Sequence, residues 1–429
     1  MKCTFKISRH LAKSTLLIGV FSAALFAGPA HADGDDGAVR LLKTVPIPTS
    51  LAALHGWDIS WVDVETQRYY LADRSNKSID VVDARTGTFL KAITGGAAPF
   101  AGVKFNGSGG ANNDISGPNG VVSSGRWLFA SDGGSRVVSI DLTTDTIVSD
   151  VVTLASNPTR ADEMAYDPVS GTLLAVNNAD SPPFATLISV NKTTGQLTVG
   201  ARIIFDSAHS GFDATNGAEQ PVWNARTGRF YLSIPEVNCT SGPNCGGAGT
   251  DGAVARINPA TGHVDALFPV KYCQPAGLTL GPKQDLLLGC SVVFDTAGNP
   301  WTAADLNTAA PVSVIMDAQT GEIDSVIPGV SGSDEVMFNS GDGRYYLAAR
   351  NQPGGPVLGV IDARDQNLVQ VAPILNVGGK PFVFPAGTAH SVAVNPRNNR
   401  VFVPLAANNI FPLCLNGCIA MFGVPGDHD

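Results

Sequence analysis

The chain has 429 residues, 44% hydrophobic and only 15% charged, a composition that argues against disorder and allows a large buried core. Its formal net charge of −9 argues against a nucleic-acid partner, which needs a basic face, and against adhesion to anionic lipid. The 47 glycines and 28 prolines, many of them in turn clusters, favour numerous short strands over helices.

The N-terminus reads as an export signal over residues 1–32. Lys2, Lys6, Arg9 and Lys13 form a basic leader, Leu16 to Ala27 is apolar, and Ala30-His31-Ala32 supplies small residues for cleavage before Asp33. The apolar run is too short to span a bilayer comfortably, and no later segment approaches spanning length. The expected location is periplasmic or secreted, with residues 33–429 as the mature chain. Cys3 would leave with the signal, so an even set of cysteines remains. In an oxidising compartment Cys239–Cys245, Cys273–Cys290 and Cys414–Cys418 are the natural disulfides. Zinc at Cys414 and Cys418 is disfavoured, because no second close pair accompanies them.

From Ala38 onward the sequence repeats itself. One phrase is an apolar strand, an Asp or Asn, a few polar residues with Thr, Asp or Gly, and a second strand. It runs through Ile79–Gly87, Val137–Asp145, Ser189–Gly195, Ala255–Gly262, Ile315–Gly321 and Val360–Asp365. Asx side chains and glycine suit tight hairpins. A second phrase, two short strands about a turn, precedes each copy. Its strand starts fall near Asp58, Asn119, Asp162, Glu219, Ala276, Asp334 and His390, a pitch of roughly 43 to 61 residues that suits four-stranded propeller blades.

Outer strands are expected at Thr88–Thr94, Ile147–Leu154, Leu197–Phe205, Val264–Val270, Ile323–Pro328 and Leu368–Leu375. The seventh blade begins at His390, and the chain ends after its third strand, Ile419–Val424. Ala38–Pro46 is free to supply the fourth. The expected fold is therefore all-β: a single seven-bladed β-propeller of four-stranded blades, closed by pairing the N-terminal strand with the last blade. Such closure leaves no exposed sheet edge. The phrases SIDVVDARTGTFLKAITG and VSVIMDAQTGEIDSVIPG resemble the YVTN-type repeat of YncE-like propellers, over the whole mature chain. The resemblance implies the propeller fold; it specifies no activity.

The connections divide unequally. Turns between first and second strands are short throughout. The insertions Lys104–Pro118, Ser207–Ala218, Val237–Thr250, Ser291–Pro311, Val377–Ala389 and Ala406–Asn416 all fall on the other face. Long loops gathered on one face point to function there.

On that face the first strands begin at the mouth of the central channel, and the residues there are polar: Asp58, Asn119, Asp162, Glu163, Glu219, Gln220, Asp334, Glu335 and His390. The ends of second strands add Asp73, Arg74, Asp132, Asn177, Glu236 and Arg350, and Trp57 flanks the first blade. Converging carboxylates need neutralising, by protonation or by a cation. Glu163, Glu219, Glu335 and His390 are candidates to hold one divalent cation, calcium or magnesium with oxygen donors alone and zinc with the imidazole included. The same four are candidates for acid–base catalysis, with Arg350 orienting an anionic substrate. Trp57, Asp58, Asp73, Arg74, Asn119, Asp132, Asn177 and Glu236 are candidate ligand-binding residues. The set is similar in chemistry to the calcium sites of six-bladed lactonase propellers, though no residue carries over. Strand-start Asp, Asn and Glu equally often satisfy backbone N–H groups at blade junctions, and that alternative stays open.

Two functions fit. The first is a binding protein whose insertion-rich face takes a small molecule, glycan or protein partner. The second is a metal-dependent hydrolase or lyase working in the channel. Haem-attachment, serine-nucleophile-elbow and His-Glu-x-x-His motifs are absent from the sequence.

Overall fold

The computed structural model describes residues 37–426 except 157, 241–244, 248, 303–307 and 375–389. The expected export signal and the Val377–Ala389 insertion lie outside the described residues. The strands are β1 (Arg40–Pro46); β2 (Ser60–Asp63), β3 (Arg68–Asp73), β4 (Ser78–Asp83) and β5 (Thr88–Ile93); and β6 (Val121–Ser124), β7 (Trp127–Asp132), β8 (Arg136–Asp141) and β9 (Thr146–Val152). There follow β10 (Met164–Asp167), β11 (Thr172–Asn177), β12 (Phe184–Val190) and β13 (Leu197–Ile204), then β14 (Pro221–Asn224), β15 (Arg229–Ile234), β16 (Asp251–Asn258) and β17 (His263–Lys271). The remainder are β18 (Pro275–Leu280), β19 (Asp285–Cys290), β20 (Val312–Asp317) and β21 (Ile323–Pro328); β22 (Val336–Asn339), β23 (Arg344–Ala349), β24 (Val357–Asp362) and β25 (Asn367–Pro373); and β26 (Ala393–Asn395), β27 (Arg400–Leu405) and β28 (Cys418–Gly423).

These strands form seven four-stranded antiparallel sheets, six of them consecutive in sequence. The seventh has the order β1-β28-β27-β26, so the N-terminal strand is its outer member. Pro46 pairs with Cys418 and Arg40 with Gly423, with a bulge between Leu41 and Lys43. The chain is thus a seven-bladed β-propeller closed by its two ends, as the repeats led us to expect.

The recurring Asp or Asn is an Asx turn in nearly every blade. Asp83 Oδ1 accepts from the backbone N–H of Arg85 and Thr86 at 2.9 and 3.0 Å. Asp317 does the same for Gln319 and Thr320, and Asp362 for Arg364 and Asp365. Gly87 completes the first of these turns at φ +60°, a conformation that glycine adopts without steric cost.

Packing follows from period-2 alternation in strands buried on both faces. Seven clusters of buried apolar side chains lie between neighbouring blades. At the closing junction Val45, Tyr69, Leu71 and Phe402 meet, with the Tyr69 and Phe402 rings 5.1 Å apart. Each fully buried aliphatic side chain contributes about 1.5–3 kcal/mol, so the ring is held by its junctions as much as by any single sheet. Gly120 and Gly277 occupy equivalent positions on the innermost strands. A methyl group at either would collide with the Asp162 or the Asp334 carbonyl of the next blade, so glycine lets those blades close around the axis.

The connections between second and third strands, and between blades, share one face, and the insertions expected there are in place where described. Three disulfides, Cys239–Cys245, Cys273–Cys290 and Cys414–Cys418, border or clip these loops.

Candidate functional site

The residues two positions before β2, β10 and β22 are Asp58, Asp162 and Asp334. Each continues the backbone ladder inward: Asp58 N donates to Ala72 O, Asp162 N to Val176 O and Asp334 N to Ala348 O. This fixes three carboxylates around the axis, and each meets an arginine. Asp58 pairs with Arg74, Asp162 with Arg160 at 2.7 Å, and Asp334 with Arg350 at 3.1 Å. Arg74 and Arg350 occupy the same place in their blades, the residue after the second strand, so blades 1 and 6 present the same pair.

His390 joins the two. Its Nε2 lies 2.9 Å from Asp58 Oδ1 and its Nδ1 2.8 Å from Asp334 Oδ2. Each ring nitrogen thus faces a carboxylate oxygen of a different blade. Trp57 packs edge-on to this imidazole at 6.3 Å, and its carbonyl also faces Nε2 at 3.2 Å.

Glu219, two positions before β14 and with its N–H donating to Ser233 O, shares this layer, and one residue farther along stand Glu163 and Glu335. Together the two layers line a polar cavity of about 120 Å3, to which the Lys104–Pro118 insertion contributes Asn113. Burial raises all three glutamates. Glu219 and Glu335 are pushed up to about 8, the first by burial with Asp162 and Asp334 adding to it. For Glu335 burial again dominates, partly offset by hydrogen bonding with Glu163 and reinforced by Asp334. Glu163 is raised well above the ordinary range by burial and by the facing Glu335 carboxyl, so the two titrate as a pair. Asp334 goes the other way: burial would raise it, but Arg350 and His390 outweigh that and hold it well below the carboxylate range. Burial and Arg160 lower the Arg74 guanidinium to about 9, still charged at neutral pH.

Of the expected site residues, the mouth gathers Asp58, Arg74, Glu163, Glu219, Asp334, Glu335, Arg350 and His390. Asn119 supports it from behind, accepting from Arg74 Nε at 2.9 Å and donating to the Ala161 carbonyl at 2.7 Å. Four others are engaged elsewhere. Asp73 binds Asn76 within its own blade, and Asp132 accepts from Ala101 N and Arg136. Asn177 bonds Thr153, Ser135 and the Arg160 carbonyl. Glu236 anchors the Val237–Thr250 loop, accepting from the N–H groups of Gly246 at 2.8 Å and Gly249 at 2.6 Å. Arg160 was not anticipated from the sequence, although an arginine two residues before a strand-start aspartate was a visible signal.

The donor set bears on the expected cation. Among the described residues no three His, Cys, Asp or Glu side chains converge in a way that could hold a metal ion. The aspartates are matched by guanidinium groups, whereas burial favours the protonated form of the glutamates. Two carboxyl oxygens of the mouth are left over: Asp162 Oδ1 and Glu335 Oε2 are buried without a hydrogen-bond partner, the latter in a residue 1% exposed.

Below this layer the channel changes character. A cavity of about 250 Å3 is walled by Ile59, Val121, Met164, Val222, Leu278 and Phe338, among others. Ile59 and Glu163 line both chambers and mark the boundary. The lower chamber shares Trp61, Val62, Met164 and Val222 with a cavity of about 390 Å3 at the short-turn face.

No protein-family model matches the chain, and no curated protein matches it. Among solved structures it is similar to a chain of the Kuenenia stuttgartiensis hydrazine synthase, with a TM-score of 0.60, 11% identity, and 89% of this chain and 98% of that one covered. It is also similar to a chain of the mitotic checkpoint complex, with a TM-score of 0.57, 10% identity, and coverage of 96% and 99%. At such identities the likeness establishes the β-propeller fold and nothing narrower.

Proposed function

We propose that this is an exported, periplasmic or secreted β-propeller that binds a small polar molecule in the charged mouth on its long-loop face. The observation that carries this reading is the buried, unpartnered Oε2 of Glu335 beside three Asp–Arg pairs. A buried acceptor without a donor is costly, and a ligand hydroxyl or amino group supplies one. Arg350, whose side chain is 42% exposed, is the cation open to a ligand anion. A chamber of about 120 Å3 suits a small molecule better than a protein segment, so glycan or protein partners would engage the surrounding loops. The three disulfides fit an oxidising compartment.

Thermal-shift titration with polyols, amino acids and uronates tests this. At least one class should raise the melting temperature, and Glu335→Gln and Arg350→Ala should each reduce the shift. A flat response to every class, or shifts unchanged in both variants, would overturn the reading.

The buried Glu163 carboxyl, raised by burial and by the facing Glu335, favours a second reading, acid–base chemistry on a ligand in the same mouth. Hydrolase or lyase turnover of lactones, esters or uronides, lost in Glu163→Gln, would establish it. Metal analysis of the purified protein, with chelator-sensitive melting, tests the divalent cation expected at Glu163, Glu219, Glu335 and His390.

A further inference from the structure

The mouth holds six carboxyl groups, Asp58, Asp162, Glu163, Glu219, Asp334 and Glu335, against three guanidinium groups and one imidazole. All the ion pairs belong to the aspartates and His390. The shortage of positive charge therefore sits at the glutamates, of which Glu163 borders the lower chamber. Glu335 Oε2 is buried there without a partner, and Glu163 forms the roof of the apolar lower chamber.

A group entering from the long-loop face meets arginines before it reaches these glutamates. A group entering from the short-turn face passes Asp63 and Glu65 at the outer cavity and then a mostly hydrocarbon wall that includes Trp61, Val62, Met164 and Val222 before it reaches Glu163. The lower chamber is smaller than most drug-sized pockets, which run to about 300–1,000 Å3, so it suits a short chain.

We infer that the lower channel binds a small organic ammonium ion, a primary amine on a short alkyl or aryl group, entering from the short-turn face with its hydrocarbon along Val222, Leu278 and Phe338 and its ammonium at Glu163, the carboxyl that the two chambers share. Hydrocarbon walls favour the apolar body, and the ammonium supplies the donors and charge that the glutamates lack. Its arrival ionises a carboxyl that was holding a proton, so binding releases protons to solvent. An inorganic cation gains nothing from the apolar walls, and a carboxylate of the same length meets like charge at the roof. The inference shares its glutamates with the mouth reading but approaches them from the opposite side.

Calorimetry on the full-length protein at neutral pH, with n-hexylamine, hexan-1-ol, hexanoate and ammonium chloride as probes, decides it. Hexylamine should bind at least about tenfold more tightly than hexanol or hexanoate, and ammonium chloride should give no heat of binding. Hexylamine heats should differ between buffers of unlike ionisation enthalpy, reporting proton release. Val222→Trp and, separately, Met337→Trp should abolish hexylamine binding in protein that still melts cooperatively, and Glu163→Gln should weaken it about tenfold. Hexanoate binding as well as hexylamine, or hexylamine binding intact in both tryptophan variants, would overturn the inference. Val222 and Met337 lie away from the charged mouth. Polar ligands of the mouth should therefore still bind those variants, and the two readings fail separately.

Discussion

Nδ1 of His390, just before the last blade begins, lies 2.8 Å from Oδ2 of Asp334 one blade earlier. The opposite nitrogen faces Asp58 in the first blade, so one imidazole ties together three blades across the point where the ring closes. His390→Ala removes the imidazole that faces both carboxylates. We expect a loss of about 1–3 kcal/mol in urea unfolding, with His390→Gln recovering part of it. An unchanged midpoint in the alanine variant would show that the ring does not bear on stability.

The raised glutamates set a pH dependence. Glu219 and Glu335 carry protons up to about 8 in the folded chain, against an ordinary value of 4.5. Between those limits the folded state binds more protons than the unfolded one, so stability falls as pH rises. It should be complete below about 4.5, decline toward 8 by an amount on the order of a few kcal/mol, and then level off. Melting temperatures in a buffer series will show this, and Glu335→Gln should flatten the slope. A melting temperature that rises across that window would contradict the assignment.

Ring closure makes a separate prediction. Without residues 37–46, β28 becomes an exposed edge and the pocket for Val45 opens. Such a chain should melt lower and self-associate, because an open edge is a template for pairing. A synthetic peptide of residues 37–49 should restore the melting temperature at millimolar concentration or below. Restoration by a scrambled peptide would rule out specific strand addition.

The disulfides should reduce in order. Cys239 and Cys245 are partly exposed, whereas Cys273, Cys290, Cys414 and Cys418 are fully buried. Thiol–disulfide exchange requires access, so mild reductant should open Cys239–Cys245 first, visible by alkylation and mass spectrometry. Cys273–Cys290 should survive until the fold opens.

The fold was legible because each blade writes its own hairpins. The Asx turns at Asp83, Asn191, Asp317 and Asp362 mark the boundary between third and fourth strands, and that local chemistry recurs whatever the surroundings. The mouth was half legible. Residues before first strands, such as Asp58, Asp162 and Asp334, lie next to the axis in any propeller, so position alone gathers them. Ends of second strands lie one strand farther out, and alternation along a strand does not say which way a loop then turns. Asp73, Asp132, Asn177 and Glu236 therefore found partners among nearby loops, while Arg74 and Arg350, each the residue after its second strand, reach the mouth. Arg160 sits in a connection between blades that no repeat phrase covers. The lower chamber went unnoticed because Met164, Val222 and Phe338 read as ordinary strand hydrophobes.

Glu163 borders the polar chamber on one side and the hydrocarbon-lined one on the other. Any occupant of the lower space that drew a proton from the Glu163–Glu335 pair would alter the charge presented to the upper one. Thermodynamic reciprocity then requires the reverse influence to be equal in size. Two solutes arriving from opposite ends of the axle would thus sense each other without touching, with a single hydrogen nucleus as messenger.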